Sequence, residues 1–168
     1  MDFMKANIIY TLRQLKPNVY FTIIWFHKTP KAWHPDLVEA NENNINAAIA
    51  EVSGWTLDSL HKDDKEQPVD KSKKDTFVIH VNTNIYDAVA LAFEITEKTK
   101  ANTFYLLSDG VPDCGKYASP GTTIMYRKIL ELNMGKQVTF NTIGIGPEHD
   151  KIFMRAISEV TGGFYRGY

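Results

Sequence analysis

Gly110-Val-Pro-Asp-Cys-Gly115-Lys116 has the spacing of a loop that cradles phosphate with backbone N–H groups, and it follows an apolar run as such loops do. The chemistry fails at two positions. Tyr117 stands where a Ser or Thr hydroxyl should reach a metal, and Pro112 removes one of the N–H groups the cradle needs. Lys116 then leads into Ala118-Ser-Pro-Gly121, a loop composition where a helix should begin. Nucleotide binding is therefore not expected. Ser108, in Leu107-Ser-Asp-Gly110, lacks the Gly-x-Ser-x-Gly turn that exposes a nucleophilic hydroxyl, and reads as a local hydrogen-bonding group. The histidines His27, His34, His61, His80 and His149 include no pair at the three- or four-residue spacing that puts two imidazoles on one helix face. Each reads as a surface or turn residue. Cys114, the single cysteine, has no internal partner for a disulfide. Lys116 nearby would favour its thiolate, but an inert loop cysteine is the simpler reading. No set of residues assembles for catalysis, and an enzyme is not expected.

The elements that position these residues follow from hydrophobic periodicity. A chain of 168 residues is the size of one domain and buries roughly two-thirds of its unfolded surface. With 43% hydrophobic and 23% charged residues it has the composition of a globular protein. Its net charge of -1 gives no pull towards nucleic acid or acidic lipid. Met4, Ile8, Leu12 and Leu15 mark an amphipathic first helix that Lys16-Pro17-Asn18 stops. Val19–Phe26 reads as a strand covered on both faces; at eight residues it is far too short to span a membrane, and no membrane insertion is expected. The segment around Leu37 and Val38 is expected to pair back as an edge strand before Asn41 begins a helix with Ile45, Ala48, Ile49 and Val52 inward. Residues 61–75 are dense in Lys and Asp and read as a charged inserted loop. Phe77–Val81 is a short apolar run before a helix striped by Ile85, Ala88, Leu91, Ala92 and Ile95, with Thr83 at its entrance. Thr103–Leu107 and Val138–Ile145 are two further strands, each leading to a helix-like segment. Trp33 and Trp55, near turns, are the aromatic candidates for a contact surface. Strands alternating with amphipathic helices indicate an α/β fold with a mostly parallel sheet, in one domain over 1–168.

Four segments carry a resemblance to a known family. Thr83-Asn-Ile-Tyr-Asp-Ala88, Tyr105-Leu-Leu-Ser-Asp-Gly110 with Pro112, Asn141-Thr-Ile-Gly-Ile-Gly146 and Val160-Thr-Gly-Gly-Phe-Tyr165 occur in the order and spacing of the von Willebrand factor type A domain. The resemblance spans nearly the whole chain. It implies a Rossmann-like central sheet flanked by helices, and binding of a protein ligand through a metal at the carboxyl edge of that sheet. In that family the metal sits among an Asp-x-Ser-x-Ser after the first strand, a Thr before the third helix and an Asp after the fourth strand. Thr83 and Asp109 match the last two, so the resemblance makes them remnants of a metal-ion-dependent adhesion-type site; the bland alternative is a helix cap and a turn residue. Mg²⁺ prefers octahedral oxygen ligands, and one Thr with one Asp is too few.

This sequence has no Asp-x-Ser-x-Ser, and it begins where the family's first helix begins. The strand expected before it would lie mid-sheet, between Val19–Phe26 and Thr103–Leu107. Unsatisfied backbone groups along such a gap cost about 1 to 3 kcal/mol each, so the gap must be filled. An N-terminal piece, a strand donated by a partner chain, or Phe77–Val81 would fill it. In the last case His80, Asn82 and Asn84 take the ligand positions, and a neutral, degenerate, metal-free site results.

The sequence thus indicates a protein-binding, adhesion-type α/β module whose first strand is missing or replaced. Thr83 and Asp109 are its candidate metal residues for Mg²⁺, and Asn82, Asn84, Ser108 and Asp113 form its ligand-contact loops. The alternative is an assembly subunit, without metal, whose open sheet edge another polypeptide completes, with oligomers as one route. The N-terminus has no signal-peptide pattern, and the sequence names no compartment.

Overall fold

Helix α1 (Asp2–Arg13) stops short of Pro17, whose ring disfavours the helical conformation at the residue before it. Tight bonds from Gln14 N to Thr11 O and Leu15 N to Leu12 O close its last turn. The computed structural model describes residues 2–56, 83–97, 101–108, 111–118 and 121–168. The charged loop 61–75, the run 77–81, Asn82 and Asp109 lie outside them.

The expected strand Val19–Phe26 is divided in two. Strand β1 (Tyr20–Phe21) and strand β2 (Ile24–Trp25) are followed by β3 (Lys31–Ala32) and β4 (Val38–Glu39). β1 pairs antiparallel with β4, Phe21 opposite Val38, and β2 pairs antiparallel with β3. Val38 does pair back as its apolar run indicates. The ladder breaks at Thr22, whose hydroxyl donates to His34 O at 3.1 Å and accepts from His34 N at 3.3 Å. A side chain thus takes over bonds a backbone pair would make. The two faces of this stretch serve two cores. Phe21, Ile23 and Trp25 join one cluster and Phe26 packs on the other. Burial is incomplete, however, since Val19 and Tyr20 are exposed.

Helix α2 (Glu42–Gly54) starts at Asn41, whose side chain accepts the Asn44 N–H at 2.9 Å and so satisfies one orphan donor of the first turn. Its Ala48 and Val52 are fully buried and, with Leu12 of α1, Phe21, Ala40 and Trp55, form the first core. Trp33 stacks on Phe21 at 5.6 Å, and Trp25 meets Trp55 at 5.5 Å. Trp55 is thereby buried, whereas Trp33 packs on the same core but stays half-buried. The Trp55 indole N–H reaches Glu51 at 3.2 Å, which lets so large a polar-tipped ring be buried.

Helix α3 (Ile85–Thr96) leads to strand β5 (Thr103–Ser108), helix α4 (Thr122–Asn133), strand β6 (Thr139–Gly144), helix α5 (Lys151–Val160) and strand β7 (Tyr165–Gly167). β5, β6 and β7 form a parallel sheet in that order, with Thr103 opposite Thr139 and Thr142 opposite Tyr165. One face of this sheet, with Leu106 and Phe140, packs on Ile85, Val89 and Phe93 of α3, Met125 and Ile129 of α4, and Phe153, Met154 and Ile157 of α5. Phe93, Phe104 and Phe140 meet edge to face or tilted at 5.0 to 6.1 Å. The fully buried Thr142 is tolerated because its hydroxyl donates to Met154 O at 2.8 Å. The opposite face of β5 departs from the expectation of a buried strand, because Tyr105 there is exposed. Among the described residues no helix is long and apolar enough to cross a membrane.

Phe140 sits where α3, β5 and β6 converge, so Phe140→Ala is expected to cost about 3 to 5 kcal/mol, read from the midpoint of urea unfolding. Tyr105→Ala, on the open face of the neighbouring strand, is expected to shift that midpoint far less.

Candidate functional site

Asn84 is buried at the start of α3, and its backbone and carboxamide tie together three segments. Its backbone N–H donates to His27 O at 3.0 Å. Its Nδ2 donates to Lys28 O at 2.7 Å and to Asp87 Oδ2 at 2.8 Å, while its Oδ1 accepts the Asp87 N–H at 3.2 Å. The last two bonds are a variant of the capping box, in which residues three apart satisfy each other across the first turn. The turn after β2 is thus bonded directly to the helix that opens the second core.

The segment Val111–Ala118 crosses over this point. Asp113 Oδ1 accepts the Thr83 N–H at 2.6 Å, a charge-assisted bond at the positive end of α3. The Cys114 thiol donates to His27 O at 3.7 Å. Gly115, at φ +80°, lies so close to Asn84 that a Cβ would overlap its carboxamide. Tyr117 is held at φ +63°, a conformation that costs a residue with a Cβ, and its ring meets Tyr86 edge to face at 4.7 Å. Burial, with the neighbouring Tyr117 phenol second, pushes the Tyr86 phenol above its ordinary range. After Lys116 the described residues Tyr117 and Ala118 are not helical, and α4 begins at Thr122.

Thr83 and Asp113 are brought together, and Asn84 is bonded between His27, Lys28 and Asp87. Ser108 is buried at the end of β5, where its carbonyl accepts the Ile145 N–H at 3.0 Å. Thr83 is buried too, whereas Val111, Asp113 and Lys116 reach solvent. Asp109 and Asn82 lie outside the described residues. A magnesium shell needs several convergent oxygens. Among the described residues Asp113 Oδ1 is engaged by Thr83 N–H and Asn84 Oδ1 by Asp87 N–H, and no group of three His, Cys, Asp or Glu side chains converges.

A second polar pair, missed by the sequence reading, lies at the same edge of the sheet. His149 Nδ1 is 2.5 Å from Gly146 O, and its Nε2 is 2.6 Å from the Tyr165 hydroxyl. A carbonyl only accepts, so Nδ1 carries the proton, and in the neutral ring Nε2 accepts from the phenol. A Cβ on Gly144 would strike this imidazole, and one on Gly167 the Tyr165 hydroxyl. Gly144 and Gly167, paired across adjacent strands and both beside one histidine, were the available signal.

Gly115→Ala combines an unfavourable φ with overlap on Asn84, so it is expected to destabilise the chain by about 2 kcal/mol or more, measured as a lowered thermal midpoint.

Comparisons with known proteins bear on the family and the fold. A family model for the von Willebrand factor type A domain matches residues 1–167. The chain is 24% identical over 171 residues to inter alpha-trypsin inhibitor, heavy chain 4, of Mus musculus, an alignment that covers 96% of this chain and 15% of that protein. The chain thus spans a small part of the curated relative it matches. Among solved structures it is similar to a von Willebrand factor type A protein from Catenulispora acidiphila, with a TM-score of 0.70 and 16% identity, over 98% of this chain and 33% of that one. That likeness shows the α/β, Rossmann-like fold. Residues 1–167 make this chain a member of the von Willebrand factor type A domain family.

Proposed function

We propose that this chain is a protein-binding module whose ligand contacts the loop Val111–Ala118 where it crosses the start of α3, and that it does so without a metal ion. Family membership supports binding over catalysis, because von Willebrand factor A domains are in general interaction modules. The observation that carries the metal-free reading is the 2.6 Å bond from Thr83 N–H to Asp113 Oδ1. An internal carboxylate already stands at the positive end of α3, beside the Thr that the family uses for its metal. The exposed side chains of Val111, Asp113 and Lys116 then supply the outer surface of the contact. Loops held on a rigid scaffold are where binding residues concentrate, and the bonds to Thr83, His27 and Tyr86 hold this one in place.

Two measurements test the reading. Millimolar Mg²⁺ is expected to leave the thermal midpoint unchanged, whereas Asp113→Ala lowers stability by about 1.5 to 3 kcal/mol through loss of a charge-assisted bond. A rise of several degrees with Mg²⁺, reversed by chelator, would refute a metal-free site. For the contact surface, Val111→Glu and Lys116→Glu are expected to weaken a captured partner about tenfold or more with the melting curve intact. A partner retained undiminished by both variants places its contact elsewhere.

A further inference from the structure

The pair formed by His149 and Tyr165 has the parts of an activated nucleophile, and the loop site makes no use of it. A phenol attacks weakly at neutral pH because it keeps its proton. It attacks far better when a base within hydrogen-bond reach takes that proton as the new bond forms. His149 Nε2 stands 2.6 Å from the Tyr165 hydroxyl and is the acceptor in that bond. A base of this kind must also be held in one tautomer by a third group. The Gly146 carbonyl, 2.5 Å from Nδ1, keeps the ring proton on the far nitrogen and leaves Nε2 free to accept. Phenol, imidazole and carbonyl thus stand in the order in which a hydroxyl, a histidine and its orienting acceptor act in nucleophilic sites on unrelated folds.

The surroundings suit the charge that an attack develops. The Arg155 guanidinium lies over the Tyr165 ring at 5.4 Å, which favours phenolate character in that ring and an anion leaving beside it. Of the two carboxylates that flank His149 in sequence, Asp150 accepts the Phe153 N–H at 2.9 Å and Glu148 is exposed. Space is kept at the oxygen as well. A Cβ on Gly167 would lie 2.6 Å from the hydroxyl, so any other residue there would crowd the attacking atom. Tyr165 itself is half-buried.

We infer that Tyr165 is a covalent modification site, its phenol acylated by an activated acyl donor with an anionic leaving group while His149 acts as the general base. The phenol oxygen forms a bond to the acyl carbon and its proton passes to His149 Nε2. The leaving group departs with the electron pair of the bond it had to that carbon. The imidazolium then gives its proton to solvent, and an aryl ester remains on Tyr165. The ester oxygen carries no proton, so the hydrogen bond that Tyr165 donates to His149 is lost with the reaction.

The test treats the full chain with p-nitrophenyl acetate and follows acetylated peptides by mass spectrometry at short times. Tyr165 is expected to acquire acetyl about tenfold or more faster than Tyr10, which is 67% exposed, although exposure alone ranks the two the other way. His149→Gln keeps a carboxamide that can accept the phenol's hydrogen bond but cannot take its proton. It is expected to bring Tyr165 down to the rate of Tyr10 or below, with the circular dichroism of the unsubstituted chain. Arg155→Gln is expected to slow the acetylation of Tyr165 and not that of Tyr10. Acetylation of Tyr165 no faster than that of Tyr10 overturns the inference, and that comparison needs no variant. An undiminished rate in His149→Gln overturns it too, as does an acetyl group carried by His149 in place of Tyr165.

Discussion

A carboxamide buried between two layers has two donors and two acceptor sites to satisfy, and few places in a protein can satisfy them. Asn84 finds its partners in the carbonyl of Lys28 and in the backbone and side chain of Asp87. Those bonds fix where the hairpin region ends relative to α3, and α3 in turn carries Ile85, Val89 and Phe93 into the larger core. Gly115 is confined to a residue without a side chain by the same carboxamide. The path of the loop, the entry of the helix and the end of β2 are thus consequences of one buried polar group. A cost of about 1 to 3 kcal/mol for each partner left unsatisfied makes alternative placements expensive.

The two cores meet along the stretch from Phe21 to Phe26. Odd positions face α1 and α2, and Phe26 faces the cluster built by α3, α4 and α5. The layers are unequal in what they cover. The larger core seals one side of β5, β6 and β7, while Phe3 of α1 meets Tyr168 just beyond β7.

Periodicity made the helices legible, because Ala48, Val52, Ile85, Met125, Ile129 and Ile157 recur at spacings only a helix stripe explains, and all six prove fully buried. β5 and β6 were legible to within a residue at each end for the same kind of reason. Thr22 was not recognised as a break, since a hydroxyl that replaces ladder bonds looks like any β-branched residue in an apolar run. Tyr105 was placed in a buried strand because composition reports apolarity and not which face has a neighbour. Strand β7 is three residues long and ends on a glycine, too short for a pattern of its own. At the site, family-like motifs picked out Thr83, but its bond to Asp113 thirty residues away depends on how loops meet in space. Trp55 stands near a turn yet is buried, because nearness to a turn says little about burial when a second ring packs against the first.

The pair formed by His149 and Tyr165 bears on how the chain's last strand stays in place. β7 is registered to β6 over Thr142 to Gly144, and backbone bonds from Thr142 N to Phe164 O, Tyr168 N to Gly144 O and Gly146 N to Tyr168 O extend that pairing at both ends. The imidazole bridges the carbonyl of Gly146, just past β6, to the phenol of β7, and Arg155 of α5 lies over the same phenol ring at 5.4 Å. Strand, preceding loop and covering helix are thereby clasped at a single aromatic ring. Removing the Tyr165 ring would therefore take one contact from the strand, the loop and the helix at once, while the backbone bonds between β6 and β7 remain.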